Sequence, residues 1–197
     1  MEKLKKIFEY IQLLKFTFPR LKANRIYRNI ETDRNSIHSQ SVLCEGLWDH
    51  PYHWLRVAML SKAMSESYPG NLIGISLKEN PRIWETSLRS IGASKIERVQ
   101  LNFNDIYLQK AKDYINKFDS VRQLVAARLP GGCPSSHIYD GAIKCELEGE
   151  FDISDDRLAH YYAQAFYLSK QYKYILEKIN VKAAIVSHPT QIRFVTL

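Results

Sequence analysis

A chain of 197 residues with 45% apolar content is long enough to bury a substantial core, either as one domain or as a domain with an appended arm. Its formal charge is +7, of which the first 35 residues carry +5, so an anionic partner is expected at one end, and a chain basic throughout is excluded. The three cysteines, Cys44, Cys133 and Cys145, are irregularly spaced without a C-x-x-C pair, which argues against a disulfide framework or a zinc site, and no apolar run reaches the roughly 20 residues that span a bilayer.

In KLKKIFEYIQLLKF, residues Leu4, Ile7, Phe8, Ile11 and Leu14 recur at helical spacing between Lys3, Lys5, Lys6 and Lys15, and Pro19 closes the segment. Acidic and aromatic residues in MEKLKKIFEY replace the uninterrupted apolar stretch of a signal peptide. The pattern fits an interfacial helix lying on an anionic membrane surface through residues 1–19, and equally a helix that packs its stripe on the domain. The polar connector NIETDRNSIHSQ follows, so residues 1–38 read as arm and connector and residues 39–197 as an α/β domain.

SVLCEG is the first predicted strand. From Pro51 to Tyr68, Trp54, Val57, Ala58, Ser61 and Met64 keep helical spacing, and Pro69-Gly70 ends that segment. NLIGISL is a second strand, apolar enough to be covered on both faces. Asn80 and Pro81 open the helix PRIWETSLRSI, which Gly92 closes in a left-handed conformation, and KIERVQL is a third strand. Residues 104–129 read as one or two helices, interrupted by PGGCPSS. A long helix over Asp155–Ile179 carries the stripe Leu158, Tyr161, Tyr162, Ala165, Leu168, Tyr172, Ile175, Leu176 and Ile179, with Ser154 as its cap. VKAAIVS is the fourth strand.

Strands alternating with helices of ten or more residues predict right-handed crossovers and a Rossmann-like, mainly parallel sheet with flanking helices. HPTQIRFVTL begins where a further crossover helix is due, so the domain is expected to be incomplete at its C-terminal end.

Ligands bind parallel sheets beyond the carboxyl ends of the strands. After the first strand, EGLWDHPYHW brings Glu45, Trp48, Asp49, His50, Tyr52, His53 and Trp54, and after the fourth come Ser187 and His188. Rings, imidazoles and carboxylates in one cleft suit a sugar, although Trp48 and Trp54 serve equally well as core anchors. No metal-ligand spacing supports reading His50, His53 and His188 as a metal site. In LPGGCPSSHIYDGAIK, Gly131 and Gly132 permit close backbone approach, Ser135 and Ser136 cap a helix beginning near His137 or offer amides to an anion, and Asp140 is a base or hydroxyl acceptor. No phosphate-binding glycine signature occurs there, so a plain loop is the simpler reading.

The order EGLWDHPYHWLR, GGCPSSHIYDGAIK, DISDDRL and IVSHPTQIRF resembles the amino-terminal half of bacterial surface-polysaccharide (capsule-type) biosynthesis proteins, glycosyltransferases of the two-domain GT-B type, over residues 40–197. The resemblance implies paired Rossmann-like domains facing across a cleft, the first contacting the acceptor and the second holding the nucleotide-sugar donor. By that analogy Asp140 and His188 would line the acceptor side with His50 and His53 near them; together with the strand-end reading this makes His188, Asp140 and His50 the catalytic candidates and Glu45, Trp48, His53, Ser136, His137 and Arg193 the substrate-binding candidates, and no metal or cofactor is expected. The implied partners are a nucleotide-sugar donor and a glycan or lipid-linked acceptor, supplied with a second domain; nucleic acid is not among them. The implied location is cytoplasmic, peripheral at the inner membrane face. Positions for the donor diphosphate are missing, so autonomous catalysis is not expected. The alternative is a non-catalytic membrane-surface or protein-interaction module.

Overall fold

A computed structural model describes residues 40–47, 57, 59–61, 63, 64, 70–79, 85, 88, 89, 91–146 and 149–186. The basic arm and its connector therefore lie outside the described residues. The chain divides into two compact units, one within residues 1–98 and 179–187 and the other including residues 99–178.

The first unit is built on four strands, β1 (Ser41–Glu45), β2 (Asn71–Leu77), β3 (Lys95–Val99) and β4 (Val181–Ile185). They form one parallel sheet in the order β3-β2-β1-β4, and the fold is α/β with a Rossmann-like arrangement. β1 pairs with β2 from Ser41 opposite Asn71 to Glu45 opposite Ile75. On its other side β1 pairs with β4, with a bulge that leaves Lys182 unmatched between Val181 and Ala183. β1 is therefore interior, and all five of its residues are buried. That explains why SVLCE lacks the polar alternation of a half-exposed strand.

Register and alternation place Val42, Cys44, Leu72 and Ile185 on one face of the sheet. The helical residues Val57 and Leu88 pack there with Ile91 and Ala93, so the segments linking β1 to β2 and β2 to β3 supply flanking helical structure. Leu88 comes so close that a Cβ at Gly74 would stand 2.8 Å from its Cδ1, and a Cβ at Gly46 2.7 Å from the same atom. Only glycine lets the leucine seat on the sheet at both points. Gly92, with φ of 96°, closes this helical segment in the left-handed conformation.

Both outer strands are protected against pairing with other chains. β3 carries Lys95, Glu97 and Arg98, with Lys95 paired to Glu97. Arg98 grips the buried Glu85 through Nε–Oε1 and Nη2–Oε2 contacts of 2.5 and 2.7 Å. β4 has the bulge and the exposed Lys182. A charge and a bulge are established ways of blunting a sheet edge, so the described edges offer little invitation to a passing strand.

The second unit contains α1 (Asp105–Ile115), α2 (Val121–Ala126), α3 (Ser135–Glu146) and α4 (Asp156–Lys178). The stripe on α4 is buried at Leu158, Tyr162, Ala165, Leu168, Tyr172 and Ile175, while Leu176 at its margin is exposed. α1 packs on α4 through Tyr114, whose ring lies against Tyr162 and Phe166. Ser154 does not cap α4. Its hydroxyl is held by Asp152, and the Asp155 carboxylate instead accepts from Arg157 N at 2.9 Å while pairing with the Arg157 guanidinium. A carboxylate is the better partner for the positive end of a helix. Before α1, Gln171 mimics a strand: its amide accepts from Gln100 N at 3.0 Å and donates to Gln100 O at 2.9 Å.

The glycine contacts generate the first test. Gly46→Ala is expected to lower stability to urea by about 1–3 kcal/mol, because its methyl would also meet Ile75 O at 2.9 Å. In a Leu88→Ala background part of that loss should vanish, since one of the two clashes is gone. A Gly46→Ala protein as stable as the parent would contradict the packing described.

Candidate functional site at the carboxyl end of the sheet

From β1 the chain steps outward to β2 and β3, then returns past both to place β4 on the other side of β1. The connections thus diverge between β1 and β4, and in open parallel sheets the region beyond the carboxyl ends of the strands at such a switch point is where ligands bind. β1 ends there in Glu45. Its side chain shares a face with Leu43, Ile73 and Ile75, which are 1%, 5% and 1% exposed, and Glu45 itself is only 5% exposed. Carrying a carboxylate into such surroundings costs several kcal/mol unless it is compensated. Strand pairing does not itself require the charge, which makes Glu45 a candidate for ligand contact at the switch point.

Immediately beyond, Gly46 N donates to Ile75 O at 2.7 Å, holding the exit of β1 against β2, and Leu47 is buried. On the opposite face Cys44 is fully enclosed, and burial pushes its thiol up to about 12. The Ser61 hydroxyl lies beside it but outside hydrogen-bonding geometry. Cys44 is therefore a core residue without nucleophilic character.

A second group of candidates gathers in the helical unit. Leu129–Gly132 is a turn closed by Gly132 N donating to Leu129 O at 2.9 Å, with Pro130 second and Gly131, φ 105°, third. That is the residue pattern of a type II turn, which needs a positive φ at its third position. Leu129 N then donates to Cys133 O at 2.8 Å, and Arg128 Nη1 to Gly132 O at 2.6 Å. Pro134 ends the loop and α3 begins at Ser135.

Ser136, His137 and Asp140 lie on one side of α3, three and four residues apart. Asp140 is exposed, whereas Ser136 and His137 are half-buried. Beneath them Ser135 is fully buried and its hydroxyl lies 2.5 Å from Tyr162 OH, which also donates to Ser135 O at 3.2 Å. Burial raises the Tyr162 and Tyr114 phenols above the ordinary range, so both remain neutral hydroxyls.

Of the sequence candidates, Glu45 thus stands in the sheet unit and Ser136, His137 and Asp140 in the helical unit. Trp48, His50, His53, His188 and Arg193 lie outside the described residues. The loop of Gly131 and Gly132 follows a helix rather than a strand, so it belongs to the start of α3 and not to a strand-end turn. Sequence reasoning overlooked the buried hydroxyls of Tyr114 and Tyr162. Tyr162 reads as one more ring in the α4 stripe, and the i, i+4 spacing of apolar residues does not reveal what its hydroxyl meets.

No family model, curated protein or solved structure that was compared matches this chain. Among the described residues no helix is long and apolar enough to cross a membrane.

The three thiols provide a test. Cys145 is exposed, Cys133 is half-buried with its thiol pushed up to about 11, and Cys44 is buried. Iodoacetamide at pH 8 should therefore modify Cys145 first, Cys133 slowly and Cys44 only on unfolding, as read by mass spectrometry. Because Cys44 titrates near 9.0 when unfolded and about 12 when folded, the native state retains its proton longer. This contribution is complete below the unfolded value and is lost as pH rises from 9 towards 12. Equal labelling of Cys44 and Cys145 in the native protein would refute the enclosure of Cys44.

Proposed function

We propose that this chain is the acceptor-side α/β domain of a surface-polysaccharide glycosyltransferase, working with a domain that binds a nucleotide-sugar donor. The observation carrying the reading is Glu45, a buried carboxylate at the carboxyl end of the interior strand, where the strand connections diverge. A carboxylate in an apolar wall suits a polyhydroxylated ligand: it accepts hydrogen bonds from sugar hydroxyls, and charge-assisted bonds of this kind are the strong ones. In the reaction an acceptor oxygen attacks the anomeric carbon, the bond from that carbon to the nucleoside diphosphate breaks, and the diphosphate leaves with the electron pair. A base takes the hydroxyl proton, and His188, Asp140 and His50 are the candidates for it.

A second reading, a non-catalytic interaction module, draws on Met59 and Leu60. These neighbours on the helical segment after β1 are 58% and 56% exposed. Two adjacent apolar side chains in water suit a partner surface.

Calorimetric titration with a short-chain, diphosphate-linked sugar acceptor separates the readings. Under the first, the unaltered chain binds the acceptor, Glu45→Gln weakens binding about tenfold through loss of a charge-assisted hydrogen bond, and Met59→Lys has no effect. Near-UV circular dichroism confirms that each variant is folded. Acceptor affinity unchanged in Glu45→Gln, or rapid sugar transfer by this chain alone, would overturn the acceptor-domain reading.

A further inference from the structure

We draw no further inference here: the strongest candidate, the exposed face at the carboxyl end of α4 where Lys170, Lys173 and Lys178 flank Tyr174, carries nothing because Lys173 pairs with Glu177, Lys178 lies over the Tyr174 ring, and nothing among the described residues shows what covers it.

Discussion

In the sheet unit one leucine packs closely on two glycines. Leu88 stands over Gly46 and Gly74 at distances that leave no room for a methyl on either. That contact sets the segment between β2 and β3 on the face formed by Val42, Cys44 and Leu72. Interiors are packed at crystal density, so such a contact is transmitted rather than absorbed. Gly46 is also the first residue beyond β1, and its bond to Ile75 O fixes the direction in which the chain leaves the strand. The position of Glu45 follows from that, since it is held between a paired strand and a constrained exit.

The interior strand ends in a buried carboxylate, Glu45, and the charged groups described on the other strands are placed differently. β3 keeps its charges at the sheet edge, where Arg98 and Glu85 form a two-pronged pair and Lys95 remains exposed. β4 keeps Lys182 in water. Polar groups on those strands serve in pairing and in guarding an edge. Glu45 has a different setting, among Leu43, Ile73 and Ile75 on a buried face. In the helical unit Asp155 caps α4 and Tyr139 OH ties Phe151 by accepting from its N–H at 2.9 Å, whereas the buried Tyr114 OH and His137 Nδ1 have no partner among the described residues.

The strands were legible as short apolar runs between polar flanks: NLIGISL is buried on both faces and VKAAI on one side of its length, and their alternation with helical spacing predicts a parallel sheet. The strand order was not legible, because periodicity says which faces are buried and not which strands are neighbours. The cap of α4 was misassigned by one residue, since Ser154 and Asp155 are both good caps and only the bond from Ser154 to Asp152 decides between them. Glu45, Ser136, His137 and Asp140 could be named from the sequence as polar residues beside glycines and strand ends. The burial of Glu45 and the orphaned Tyr114 hydroxyl could not, because both depend on contacts between residues distant in the chain.

Native-state hydrogen exchange tests most directly whether β1 is the interior strand on which this arrangement rests. The account predicts that amides of residues 42–45 exchange only through global unfolding, along with those of β2, while outward-facing amides of β3 and β4 exchange faster through local opening. Exchange of residues 42–45 as fast as that of residues 95–99 would contradict the strand order and remove the basis for a site at Glu45.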